Sequence, residues 1–431
     1  MVLQRGMDLP IWGKATAGAD ITVSFTDQRK TTKADQNGDW RLKLDPLKAE
    51  KLASPQSVPK GHAMTITAKH DGQQSTLTLK NLVVGDVWLC AGQSNIAGKL
   101  KGSGTYQGEV ANYPGYRHWT PTDEGGWTIC TPDREGAGEF KKTAFYFGRD
   151  VYLESRVPIG LVVSAVGGSN IESWLNKQPH ETGKNYAKLI DPIVGLGVRG
   201  MVWYQGESNG NKGESYGPLL KSLIEGYREV WGLGDFPFYY VQLPGYGIRT
   251  NELGGKHHGW PALRQEQLET LAIKNTGMAI TIDIGDKSVH PPNKVDTGRR
   301  LARLALHHDY EKDIVPSGPL FQSAQVKGRE IRIRFEYADG GLMLAEKTGL
   351  DAPVSTPDKK LECLMVRGED GVWHVAEGRI DGAELVVSSD QVADPVAVRY
   401  AYVPHPAGPL LYNKAGLPAS PFTTEQKPDR E

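Results

Sequence analysis

The sequence predicts an α/β protein, a mostly parallel sheet flanked by helices, with a β-sandwich-like module at each end. Three observations predict it. Apolar strand-like runs alternate with helical periodicity through the middle of the chain. Short runs of period-2 alternation, separated by turn residues, fill both ends. Gly (51) and Pro (27) together make about 18% of the 431 residues, above the usual ~12% and typical of a turn-rich chain.

Residues 1–83 form the first expected module. Ile21-Thr22-Val23-Ser24-Phe25, Trp40-Arg41-Leu42-Lys43-Leu44 and Met64-Thr65-Ile66-Thr67-Ala68 alternate as half-buried strands do, and Asp35-Gln36-Asn37-Gly38-Asp39 is a turn between two of them. The hydrophilic stretch 45–62 reads as a loop. Near residue 84 the texture changes. Asp86-Val87-Trp88-Leu89-Cys90 is mostly apolar, as a strand covered on both faces must be. Pro158–Val163, Gly200–Tyr204, Phe238–Val241 and Met278–Ile282 repeat it. Between these runs, Tyr216, Leu219, Leu220, Leu223, Ile224, Tyr227 and Trp231 fall on one helical stripe, as do Leu301, Leu304 and Ala305. Phe145–Leu153 and Leu263–Leu271 are two more helix candidates. This places an α/β unit over 84–313. From 314 to 431, Glu330–Phe335, Val372–Val375, Leu385–Val387 and Val396–Tyr402 predict a second β module with a Pro-rich tail.

At 431 residues the chain is long enough for two or three domains with real cores. Fifty Lys plus Arg against 51 Asp plus Glu leave a net charge of −1, which argues against a global grip on nucleic acid or an anionic membrane. No run approaches the ~18 apolar residues needed to cross a bilayer, and no signal peptide opens the chain. Cys90, Cys130 and Cys363 are too far apart for a CxxC pair; they read as ordinary thiols, with one disulfide open to an exported protein. His257-His258 and His307-His308 are adjacent pairs with no HExxH spacing, so no metal is expected. Gly195-Leu196-Gly197-Val198-Arg199-Gly200 spells GxGxxG but leads into a strand rather than following one, so it reads as a turn.

In open α/β sheets, ligands bind beyond the carboxyl ends of the strands. Those positions here hold Gly92-Gln93-Ser94-Asn95, Val166-Gly167-Gly168-Ser169-Asn170, Gln205-Gly206-Glu207-Ser208-Asn209, and then Asp283, Asp286 and His290. Ser94, between a Gly turn and a helix start, reads either as a nucleophile or as an N-cap. His290, stiffened by Pro291 and Pro292, reads either as a base on a late loop or as a surface residue.

Gly92–Asn95 after a Val-Trp-Leu strand resembles the first block of the SGNH-type carbohydrate esterases, and more closely that of the sialate O-acetylesterase family. Val166–Trp174, Trp203–Asn209 and His290-Pro291-Pro292-Asn293-Lys294 are similar to that family's later blocks, in order. Met1–Arg5 and Leu411–Phe422 resemble its ends. The resemblance covers nearly the whole chain and implies an SGNH-hydrolase-like fold. It implies Ser94 as nucleophile and His290 as general base and acid. It implies an oxyanion hole of the Ser94 and Gly168 backbone N–H groups and the Gln205 side chain. No cofactor is implied.

The DxxH spacing common in SGNH enzymes is absent, since Lys287 stands three residues before His290. Asp286, Glu207, or neither, with a backbone carbonyl in their place, is then left to orient the ring. Asn95 reads as a loop or substrate contact, Trp174 as a platform for a sugar ring, and Arg264 as a brace for the site loops or a contact for an anionic substrate. The reading is a serine esterase removing O-acetyl groups from a carbohydrate, sialic acid or a polysaccharide such as acetylxylan. The alternative from another class is a non-catalytic carbohydrate-binding protein. The resemblance also implies an extracytoplasmic setting. It leaves the oligomeric state open.

Overall fold

The computed structural model describes residues 1–100, 111–122, 125–133, 135–176, 182–252 and 259–425. Its centre is a sheet of seven strands: β1 (Gln73–Gly92), β2 (Tyr113–Trp119), β3 (Thr128–Cys130), β4 (Ile159–Ala165), β5 (Gly200–Tyr204), β6 (Phe238–Val241) and β7 (Thr276–Ala279). The order is β7-β6-β5-β1-β4-β2-β3. Every pair is parallel except β2 with β3. Helices α1 (Ser94–Ala97), α2 (Lys142–Ser155), α3 (Tyr216–Trp231), α4 (Gly259–Glu269) and α5 (Lys294–Tyr310) accompany it. The apolar texture of the strands has the expected cause. Residues 200–204 of β5 and 238–241 of β6 are buried throughout, so both faces are covered. Trp88, Trp174 and Trp203 lie wholly inside this core.

The fold is thus mixed α/β, a mostly parallel central sheet with several antiparallel sheets around it. At the amino end, strands 20–25, 28–33 and 62–70 join the first half of β1, and strands 9–14 and 39–44 form a separate hairpin-like pair. At the carboxyl end are two four-stranded sheets and one three-stranded sheet. The expected division after residue 83 falls inside a continuous strand. Residues 73–82 of β1 pair antiparallel with 62–70, while residues 86–92 pair parallel with β4. One strand therefore joins the outer sheet to the central one without a linker.

The three strands that matter for the site end in register. Gly92 of β1 pairs with Ala165 of β4 on one side and Tyr204 of β5 on the other. Gly92 has φ +143°, and a Cβ there would stand 2.0 Å from the Tyr204 carbonyl oxygen. Only glycine lets the chain turn off β1 so close to β5.

Two elements differ from expectation. The fifth run ends as a strand at Ala279, and Ile282–Ile284 form a 3-10 turn. Strands β2 and β3 were not expected, because Pro114 and Gly115 interrupt the pattern. They sit where the register shifts between Tyr113 and Arg117, at a bulge that tolerates a missing N–H. All three cysteines are free and buried. Among the described residues, no helix is long and apolar enough to cross a membrane.

Candidate active site

Ser94 opens α1 directly past the end of β1. The N-cap position belongs to Gln93, whose side chain makes no capping bond. Ser94 is therefore not the cap, and its hydroxyl is left for another partner. That partner is His290, whose Nε2 lies 2.8 Å from Ser94 Oγ. His290 arrives on the loop between the 3-10 turn at Ile282–Ile284 and α5. The ring is exposed and the serine partly so, which leaves the pair open to a substrate.

The loop after β4 comes up beside them. A Cβ on Gly167 would stand 3.8 Å from that of Ser94, and Gly168, at φ +70°, faces open space. Among the described residues no acceptor is bonded to the backbone N–H of Ser94 or Gly168. Both donors remain available at the mouth of the site.

Gln205 is different. It is fully buried. Its Nε2 donates to Asn209 Oδ1 at 2.8 Å and Ser169 O at 3.1 Å, with Gln93 Oε1 at 3.2 Å, and its Oε1 accepts from Tyr216 Oη at 2.9 Å. The expected donation to a substrate oxyanion is not available from this arrangement, because the amide is already spent. Gln205 instead ties the loops after β1, β4 and β5 together. Asn209, which the motif reading passed over, continues the tie: its Oδ1 accepts from Ile171 N and its Nδ2 donates to Glu172.

Neither candidate carboxylate bonds to the His290 ring. Asp286 Oδ1 accepts from Ser288 N at 2.7 Å, and the Ser288 hydroxyl accepts from His290 N at 3.1 Å. Asp286 shapes the turn before the histidine; one further residue would have to be removed for the usual DxxH reach. Glu207 Oε1 accepts from Asn95 Nδ2, and its Oε2 is buried without a partner. Burial pushes the Glu207 carboxyl up from its ordinary value, against the opposing effects of the Asn95 bond and the Lys294 charge. Lys294 was legible only as part of the His block. Its Nζ donates to Asn95 Oδ1 at 2.7 Å and to Pro291 O at 2.5 Å. Burial lowers its ammonium to about 8, with Glu207 pulling the other way.

The three expected substrate contacts are all enclosed. Trp174 has no exposed surface and packs edge-on against Trp203, its Nε1 donating to Ser169 Oγ. It is core, not a sugar platform. Arg264 is also fully buried, and its guanidinium donates to the carbonyls of Pro244, Val403 and Pro404. It braces the loop after β6 against the carboxyl-terminal module. Asn95 is 2% exposed, with its amide committed inside the protein. That module also steadies the histidine loop. Asn293, which caps α5, donates to Gly349 O, and Lys347 pairs with Asp296 at 2.9 Å. Among the described residues no group of three or more His, Cys, Asp or Glu is placed to hold a metal. The His257-His258 pair lies outside the described residues.

Residues 84–307 match the family model described as carbohydrate esterase, sialic acid-specific acetylesterase. The human sialate O-acetylesterase is 27% identical over 511 aligned positions, covering 100% of this chain and 92% of the relative. The Pongo abelii enzyme of the same name gives the same values. Among solved structures, a carbohydrate acetylesterase from Xanthomonas citri superposes with a TM-score of 0.84 at 32% identity. It covers 99% of this chain and 97% of that one. The chain is a carboxylic ester hydrolase. It belongs to the carbohydrate esterase family of sialic acid-specific acetylesterases.

Proposed function

We propose that this chain is an SGNH-type serine esterase that removes O-acetyl groups from carbohydrates, with Ser94 as nucleophile and His290 as its base. One observation carries the reading: the 2.8 Å contact of Ser94 Oγ with His290 Nε2 at the carboxyl end of a parallel sheet. Ser94 Oγ attacks the acetyl carbonyl carbon while Nε2 takes its proton. The oxyanion forms against the free backbone N–H groups of Ser94 and Gly168, each such donor being worth about 3–4 kcal/mol in a well-studied hydrolase. The ester C–O bond breaks, His290 returns the proton to the sugar oxygen, and the acetyl group stays on Ser94. Water then attacks the acyl-enzyme with His290 again as base, releasing acetate.

His290 works here as half of a dyad, with no carboxylate on its ring. Gln205 orders the strand ends, and Glu207 and Asp286 act on the loop. The α/β unit over 84–313 is the catalytic one, and the carboxyl-terminal module braces it. Acetylated sialic acid is the substrate that the name of the family suggests, in an extracytoplasmic setting. Acetylxylan is the competitor, since the Xanthomonas relative is named only as a carbohydrate acetylesterase.

The test is hydrolysis of p-nitrophenyl acetate, O-acetylated sialic acid and acetylxylan by wild type and Ser94→Ala. Wild-type turnover lost in the variant supports the reading, and the better glycan names the substrate. No wild-type turnover on any of the three would point to an ester outside this panel, or to a carbohydrate-binding protein.

A further inference from the structure

We infer that Asn95, Lys294 and Glu207 form a buried clamp that sets the position of His290 against Ser94. The inference rests on Ser94 and His290 being the reacting pair.

The observation is a symmetry about His290. The residue before it and the residue after it are each held by the backbone carbonyl. Val289 O accepts from Asn95 Nδ2 at 3.0 Å, and Pro291 O accepts from Lys294 Nζ at 2.5 Å. The two holders are bonded to each other, Lys294 Nζ to Asn95 Oδ1 at 2.7 Å. Glu207 anchors Asn95, accepting from its Nδ2, and faces the Lys294 charge. Lys294 also lies over the Tyr204 ring, 5.9 Å from its centroid, at the end of β5.

The arrangement leaves no slack. The Asn95 amide uses its oxygen and donates to two acceptors, so it cannot turn without losing bonds. Asn95 is also the residue next to Ser94. One side chain therefore spans from the nucleophile's neighbour to the base's neighbour, and the path from Ser94 to His290 runs through a single amide. Asn95 and Lys294 are 2% and 8% exposed. Water does not compete for these bonds, and a charged donor makes them stronger than neutral ones.

A buried lysine and glutamate facing each other are a poor device for stability alone, since apolar side chains of like volume often do as well. Placement is what it supplies. A misplacement of about 1 Å between reacting groups costs on the order of 100-fold in rate. None of the three touches the reacting atoms, so they are positioning residues.

The experiment uses the full chain and two readouts at 25 °C: steady-state hydrolysis of p-nitrophenyl acetate, and the rate of Ser94 labelling by a fluorophosphonate. Lys294→Met is expected to lower kcat about 10- to 100-fold with KM within about twofold, and labelling should slow in parallel. Lys294→Arg, which keeps charge and donors, should recover part of the loss. Glu207→Gln added to Lys294→Met should cost no more than Lys294→Met alone, because Glu207 acts through Asn95, whose hold Lys294→Met already loosens. A kcat within twofold of wild type in both Lys294→Met and Asn95→Ser, with Ser94→Ala inactive, overturns the clamp and leaves the reacting pair standing. Full activity of Ser94→Ala overturns the pair itself. If Lys294→Met does not fold, Asn95→Ser alone decides, since it removes the reach to Val289.

Discussion

Ser94 and His290 stand 196 residues apart in the chain, yet Oγ and Nε2 meet at 2.8 Å. The contact is made by two features far from each other: a glycine turn that takes the chain off β1 beside β5, and a Pro-stiffened loop entering α5. Replacing either residue by alanine should lower kcat/KM at least about 1000-fold. Neither change touches the core, so unfolding midpoints should stay within a few degrees of wild type. Retained activity in a folded His290→Ala protein would remove the histidine from the mechanism.

Gln205 carries a different expectation. Its amide satisfies Asn209, Ser169 and Gln93, and its oxygen satisfies the Tyr216 hydroxyl. Gln205→Ala leaves Ser169 O without its donor and opens a buried gap, at roughly 1–3 kcal/mol for the unpaired group, while Asn209 Oδ1 keeps Ile171 N, Gln93 Oε1 keeps Ser208 N and the Tyr216 hydroxyl keeps Gln205 O. We expect the variant to unfold at clearly lower denaturant concentration, with its loss of activity tracking the loss of order in the loops. If its stability matched wild type while kcat alone fell about 100-fold, Gln205 would be an oxyanion donor after all.

How far the sequence could be read follows from where each signal is local. Strand β5 and helix α3 are where the pattern put them, over Gly200–Tyr204 and Tyr216–Trp231. A fully covered strand and a one-sided helix each write their environment into consecutive residues. The first half of β1 escaped because Gln73 to Thr78 are exposed one after another, so no alternation marks them. The site divides in the same way. The strand-end positions announced themselves by composition. Which side chains are spent on one another did not. Trp174 ends a motif block and Arg264 lies on α4, but their surroundings depend on Trp203 and on carbonyls at 403–404, far away in sequence.

Arg264 gives a direct check on that last point. Burial lowers its guanidinium to about 9, and it faces carbonyl oxygens rather than a carboxylate. Arg264→Gln should destabilise the protein by about 1–3 kcal/mol, since Val403 O loses its donor while Pro404 O keeps Tyr246 N. Pro244 O keeps the Trp260 Nε1 bond at 2.8 Å. The ratio of KM values for an anionic and a neutral acetyl ester should not change. A selective rise in KM for the anionic ester would mean that the arginine reaches substrate.

Asp309 yields a prediction in pH. Its carboxylate accepts from Tyr239 Oη at 2.6 Å on the back of the sheet. Burial pushes its carboxyl up to about 6, with nearby Asp86 adding to the rise and the Tyr239 bond and Arg199 opposing it. The unfolded chain titrates this group near 3.9. Between about pH 4 and pH 6 the folded protein therefore holds more protons than the unfolded one. By linkage, stability from this group falls as pH rises through that window, and the ionised form weighs against the fold at neutral pH. Asp309→Asn removes the charge and keeps an acceptor for Tyr239. It should be more stable than wild type by about 1–3 kcal/mol at pH 7.5. At pH 4.5 the advantage should shrink to about a third, because the folded wild type is then largely protonated. Urea midpoints of the two proteins at both pH values measure this. An asparagine variant equal to or weaker than wild type at pH 7.5 would mean that the Arg199 and Tyr239 contacts outweigh burial.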